Sequence, residues 1–231
     1  MKNRIVASFS RLTHFERRLW LSSMLCTILS FALSPERDAL TLLASLIGVT
    51  SLILNARGDV LGQILMVVFS FIYGVISYSF RYYGEMITYL GMTMPIAAAA
   101  VVSWLRHPFE GTAEVQVSRL SRRTALVLAA LTALVTFVFY FILRFFGTAN
   151  LMMSTLSVTT SFLGASLTFL RSPYYALGYA ANDVVLIVLW LLASLQYPAY
   201  LPMILCFIMF LINDLYGYAA WRSMQKRQEG R

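Results

Sequence analysis

Charged side chains are scarce in this 231-residue sequence: Asp, Glu, Lys and Arg make up 12% of it, against 59% apolar residues, where soluble domains carry roughly a quarter charged. No soluble core absorbs that much apolar surface, so lipid is the solvent indicated. Cysteine is nearly absent as well. Cys26 and Cys206 lie in different apolar runs, which gives no support to a disulfide framework or a metal site. The two histidines, His14 and His107, have no paired nucleophile, and no Gly-rich phosphate loop is present. The chain alone is therefore not an ATP-driven pump, no catalytic residues are assigned, and no cofactor or metal is called for. A net charge of +8 would suit nucleic acid if it were clustered. The basic residues instead sit between apolar runs, which excludes nucleic acid as the partner.

What is abundant is apolar sequence in lengths that match a bilayer. Eight runs cover 19–33, 39–54, 60–80, 86–105, 124–146, 151–170, 174–195 and 199–221. At about 1.5 Å per residue the longer ones reach roughly 30 Å, whereas the first two need their flanks or a tilt to span. The first run follows basic residues, and Ala32 and Ser34 offer a small-x-small pattern, so a cleaved signal peptide is the rival reading for it. Pro35 after the cut disfavours that reading. With eight spans, fifteen of the Lys and Arg residues fall on one side and only Arg37, Arg81 and Arg144 on the other. Positive residues stay cytoplasmic during insertion. The expectation is an all-α, multi-pass protein of a bacterial inner membrane with both termini in the cytoplasm.

Runs two to four and six to eight align at an offset near 116, placing Gly62 on Gly178 and, after a one-residue gap, Trp104 on Trp221. Each Trp is followed by an Arg, at Arg106 and Arg222; Trp before Arg is also a common helix ending at a membrane interface, the role expected of Trp104, Trp221 and Trp20. If the repeat holds, the fifth run restores parallel orientation between two three-helix units. The layout is then an extra N-terminal helix plus 3+1+3 parallel repeats, as in small transporters of the SWEET type, with a solute site between the halves. The expected segments are 1–38 (cytoplasmic segment and peripheral helix), 39–105 (first repeat), 106–149 (charged loop and linker helix), 150–221 (second repeat) and 222–231 (tail).

The polar residues inside these runs point to the chemistry. Asn182 and Asp183 in the seventh run lie about 13 Å, and Asn213 and Asp214 in the eighth about 12 Å, from the same face, so the two pairs form one layer. A carboxylate facing lipid costs at least about 2.5 kcal/mol, so these side chains face the interior of the bundle. Asn213 is expected to make the more direct solute contact of its pair. Tyr179, one turn before Asp183, and Trp190, two turns beyond, offer rings to a flat or cationic solute. Gln63, Ser70 and Tyr73 add hydrogen-bonding groups from the other half. The hydroxyl-rich sixth run, with Gly164 and Ala165, is read mainly as close helix packing.

The stretch Tyr82 to Thr93, with Gly62, Gln63, Phe69, Ser70, Tyr73 and Gly74 before it and Asn213, Tyr216, Gly217 and Trp221 after it, resembles the PnuC family of nicotinamide riboside transporters. The resemblance covers most of the chain beyond the first run and adds Tyr216 to the candidate substrate-binding residues. It implies facilitated diffusion of a vitamin B3 precursor, intracellular phosphorylation that traps the solute for NAD biosynthesis, and a homo-oligomer, with a trimer among the options. Many members carry two Trp residues and an Asn where this chain has Ala176, Tyr179 and Asp183, so thiamine, riboflavin and deoxynucleosides stay open as solutes. Proton-coupled uptake through Asp183 or Asp214, and an intramembrane enzyme, are the remaining alternatives.

Overall fold

A computed structural model of the chain describes residues 2–32, 39–79, 83–148, 150–195 and 201–230. Ser34, Pro35, Arg37, Arg81 and Tyr82, which enter the sequence reading, lie outside them. The order is α1 (Lys2–Ser10), α2 (His14–Ala32), α3 (Ala39–Ala56), α4 (Val60–Ser79), α5 (Tyr83–Thr88), a π-helical turn (Tyr89–Thr93), α6 (Met94–Arg106), α7 (Arg122–Phe145), α8 (Leu151–Phe169), α9 (Tyr175–Ser194) and α10 (Leu201–Glu229). Local signals set these ends. Thr13 and Glu16 form a reciprocal capping box, in which Glu16 N donates to Thr13 Oγ1 at 3.2 Å and Thr13 N donates to Glu16 Oε2 at 2.7 Å; this supplies two of the donors that a helix start leaves unpaired. Ser121 Oγ caps α7 by accepting from Thr124 N.

Among the described residues, six stretches are long and apolar enough to cross a membrane: α3, α4, α5 through α6, α7, α9 and α10. The protein is multi-pass. The other two long helices carry more polarity, with Glu16, Arg17 and Arg18 in α2 and a series of Ser and Thr in α8. Many of the α8 hydroxyls return to their own helix: those of Thr155, Thr159 and Thr168 donate to carbonyls four residues back. That leaves little polarity to expose to lipid.

The α3–α4 and α8–α9 turns are copies of each other, 113 residues apart. Gly58 N donates to Asn55 O and Asp59 N to Leu54 O, as Arg171 N donates to Thr168 O and Ser172 N to Leu167 O. Asp59 Oδ1 and Ser172 Oγ each accept from the backbone N–H two residues on. Gly58 and Arg171 both have left-handed backbones, with φ of 64° and 57°. The offset thus differs from the 116 suggested by Gly62 and Gly178, because those glycines answer to different neighbours. A Cβ on Gly62 would meet Asn55, and one on Gly178 would lie 2.7 Å from the Gly164 backbone.

Helices α3, α4 and α5–α6 pack together as one set and α8, α9 and α10 as another, and the third helix of each set reaches across to the first helix of the other. Trp104 Nε1 of α6 donates to Thr168 O of α8 at 3.0 Å, and Trp221 Nε1 of α10 donates to Asn55 O of α3 at 2.8 Å. Their rings meet with centroids 5.4 Å apart, and both are fully buried. This corrects the expectation that Trp104 and Trp221 anchor the lipid interface: their N–H groups have carbonyl partners inside the bundle, and the rings fill the core between the helices. Trp20 likewise donates into the protein, to Thr50 Oγ1.

Where α8 crosses α9 the contact is backbone on backbone, since a side chain at Gly178 has no space. Gly178→Val is expected to destabilise the fold by about 2 to 3 kcal/mol, read as a lower melting temperature in detergent. Gly91→Ala, whose added methyl meets nothing closer than 3.9 Å, should leave the melting temperature nearly unchanged.

Candidate functional site

A chamber lies between the two three-helix sets, and both sets line it. From α9 come Tyr179, Asn182 and Asp183, and from α10 come Phe207, Phe210 and Asp214. The first set contributes Met66 and Phe69 of α4, Gly48 and Leu52 of α3, and Tyr89 and Thr93 of the π-helical turn, while Ser161 of α8 completes the wall. The i, i+3, i+7 spacing of Phe207, Phe210 and Asp214 places them on one face of α10. On the far side, Phe69 and Phe210 close over Gly48, where a Cβ would sit 3.0 Å from the Phe210 ring.

The two aspartates are direct neighbours, with their carboxyl groups within hydrogen-bonding reach of each other. Both are buried, and Asp183 Oδ2 has no hydrogen-bond partner. Among the described residues, none that lines the chamber is basic. Asn182 is held from behind: its Oδ1 accepts from Ser157 Oγ at 3.1 Å and from Thr160 Oγ1 at 3.0 Å. The Nδ2 donors are what this side chain can offer a bound molecule. Phe69 and Tyr89 of the lining belong to an aromatic group in which Tyr73 and Tyr89 have ring centroids 4.4 Å apart and Phe69 packs against both.

The chamber measures about 40 Å³, whereas sites for drug-sized molecules run to roughly 300 Å³ or more. Admitting such a molecule requires helices or aromatic rings to part. A larger cleft of about 310 Å³ opens beside α1 and the last turns of α10, lined in part by Arg11, Arg57, Arg227, Asp59 and Glu114. Its arginines are already matched, Arg11 to Asp59 at 3.3 Å, Arg57 to Glu16 at 3.7 Å and Arg227 to Glu114. The pairs Arg11–Asp59 and Arg227–Glu114 face solvent and tie surface segments together, while Glu16 of the third pair is buried beneath the cleft.

Of the residues anticipated from the sequence, Tyr179, Asn182, Asp183 and Asp214 meet at the chamber. Tyr73 and Trp190 belong to the apolar cluster that adjoins it. Gln63 is buried in a hydrogen bond to Asn55 Oδ1 at 2.8 Å, and Ser70 is wholly buried with its Oγ unpartnered. Asn213, favoured over Asp214 for solute contact, turns the other way: its Nδ2 donates to Ser23 Oγ of α2 at 2.9 Å, and its Oδ1 is buried without a partner. Tyr216 also leaves the chamber, its hydroxyl donating to Glu16 Oε1 at 2.8 Å. Successive helical residues project about 100° apart, so only one of the adjacent pair Asn213 and Asp214 could face inward. Sequence reading missed Phe207, Phe210, Tyr89 and Thr93. The spacing on α10 was a usable signal for the two phenylalanines.

Residues 38–223 match the family model described as nicotinamide mononucleotide transporter. The nicotinamide riboside transporter PnuC of Neisseria mucosa is 28% identical over 229 residues, spanning 96% of this chain and 86% of that protein. The crystal structure of the vitamin B3 transporter PnuC superposes with a TM-score of 0.81 at 26% identity, covering 94% of each chain. A matched segment that takes in both three-helix sets and every residue lining the chamber shows that this chain belongs to the nicotinamide mononucleotide transporter family.

Proposed function

We propose that this protein carries nicotinamide riboside across the membrane by facilitated diffusion, with the chamber as its solute site. The observation that carries this reading is the pair Asp183 and Asp214 in a chamber with no basic lining residue. The family description names a mononucleotide, which bears a phosphate, and the Neisseria mucosa relative is named for the riboside, which does not. In a low-dielectric chamber two carboxyl groups disfavour a phosphate and favour a pyridinium cation. Tyr179, Tyr89 and Phe69 offer ring faces for the cation, and the Asn182 amide suits a carboxamide or a ribose hydroxyl. Phosphorylation inside the cell then produces an anion that this chamber rejects, so uptake becomes one-way without energy coupling.

The layout supporting this is one of eight spans, α2 through α4, α5 to α6, and α7 through α10, with two parallel three-helix repeats and α7 as the linker span. The copied turns and the reciprocal indole bonds support it, since a two-fold axis along the membrane normal relates such contacts in pairs. The positive-inside distribution puts both termini in the cytoplasm.

Purified protein in liposomes is expected to equilibrate labelled nicotinamide riboside, with nicotinamide mononucleotide neither entering nor competing. Equal competition by the mononucleotide, or passage of thiamine, riboflavin or a deoxynucleoside in place of the riboside, overturns the assignment. An imposed proton gradient should leave the final internal concentration at equilibrium with the outside; accumulation above it without a kinase marks coupled transport.

Asp214→Asn and Asp183→Asn each remove one carboxylate at nearly constant shape. Each should raise KM for the cationic riboside by about tenfold, roughly 1.4 kcal/mol, and the double variant should depart from additivity because the groups touch. Measured with an uncharged nucleoside of similar size, the same substitutions should cost far less.

A further inference from the structure

Helix α2 has its polarity turned inward. Glu16, Ser23, Thr27 and Ser30 are buried, while Leu21, Leu25, Ile28 and Leu29 are exposed. At 3.6 residues per turn the four buried positions form one stripe along the helix. That stripe meets α3 and α10. Glu16, only 2% exposed, accepts from the Tyr216 hydroxyl at one oxygen and from Thr13 N at the other, with Arg57 at 3.7 Å. Two turns further on, Ser23 Oγ accepts from Asn213 Nδ2 at 2.9 Å.

Both ties land on α10 beside Asp214, one on the residue before it and one two residues after. Asn213 and Tyr216 are three apart and share a face, whereas Asp214 projects about 100° away from Asn213. Holding that face on α2 fixes the rotation of α10 about its own axis and aims the Asp214 carboxyl at Asp183. A helix serving only as a membrane anchor has no use for a buried carboxylate, which is costly unless its hydrogen bonds are met.

We propose that Glu16 and Ser23 are positioning residues for the solute site, acting through Tyr216 and Asn213 to aim Asp214 into the chamber; this rests on the reading of that chamber as the solute site. Helix α2 is then a working part of the transporter and not a peripheral addition. Simple helix-to-helix adhesion would change stability but would not change where residue 214 points.

The test places a cysteine at position 214 (Asp214→Cys) in a Cys26→Ala, Cys206→Ala background and measures its rate of modification by the cationic reagent methanethiosulfonate ethylammonium in proteoliposomes. Adding Ser23→Ala and Tyr216→Phe is expected to change that rate by at least about fivefold, with Ser23→Thr restoring it in place of alanine, because the site loses alignment when its supports are cut. An unchanged rate with both ties cut overturns the proposal. If the double variant does not fold, Tyr216→Phe alone removes one hydroxyl and carries the same comparison. In the chain with Asp214 intact, the two substitutions should raise KM for nicotinamide riboside about tenfold with a smaller change in maximal rate; an unaltered KM also counts against positioning. A changed labelling rate in a protein that never carries the riboside overturns the solute assignment and leaves the positioning role standing.

Discussion

A hydrogen-bonding group inside a bilayer has only protein to turn to, and nearly every polar contact in this chain follows from that constraint. Hydroxyls on α8 satisfy themselves on their own helix, and two of them also reach Asn182. The indoles of Trp104 and Trp221 find carbonyls on helices of the opposite set. Glu16, a formal charge with almost no exposure, has hydrogen bonds at both oxygens. Against that background the exceptions among the described residues stand out: Thr27 Oγ1, Ser70 Oγ, Arg171 Nε, Asp183 Oδ2 and Asn213 Oδ1 are buried without partners, and of these Asp183 lines the chamber.

Taken as the solute site proposed above, the chamber joins two kinds of recognition in one small volume. Its aromatic rim suits any flat ring, so shape alone would admit several vitamins. Charge narrows the choice. Carboxylates with no compensating Arg or Lys welcome a cation and turn away a phosphate, and this separates a riboside from its phosphorylated product more sharply than size could, since the product merely adds a group at one end.

Much of this was legible in the sequence because lipid imposes a simple code. Apolar runs of spanning length marked the helices, and a carboxylate in such a run had to point inward, which brought Asp183 and Asp214 together correctly. Direction within a helix was harder to read. Asn213 and Asp214 are adjacent and both polar, and only the position of α2 decides which of them turns to the chamber. Trp104 and Trp221 were ambiguous because a Trp before an Arg ends a helix at the interface as readily as inside a bundle; the difference lies in a carbonyl supplied by a distant helix. The π-helical turn at Tyr89–Thr93, just before Pro95, leaves no periodic trace in so short a stretch, yet it presents Tyr89 and Thr93 to the same cavity. The two copied turns stand 113 residues apart, an offset that matching Gly62 with Gly178 could not give, because the turn hydrogen bonds and not the glycines define it.

The crossed indole bonds have a mechanical consequence. Each spans from the last helix of one set to the first helix of the other, and the two rings touch at the centre. Any splaying of the sets at that end must rupture both bonds and part the rings in the same motion, because neither half can swing away while the other's indole still grips it. Such a fastening resists partial opening and releases as a unit.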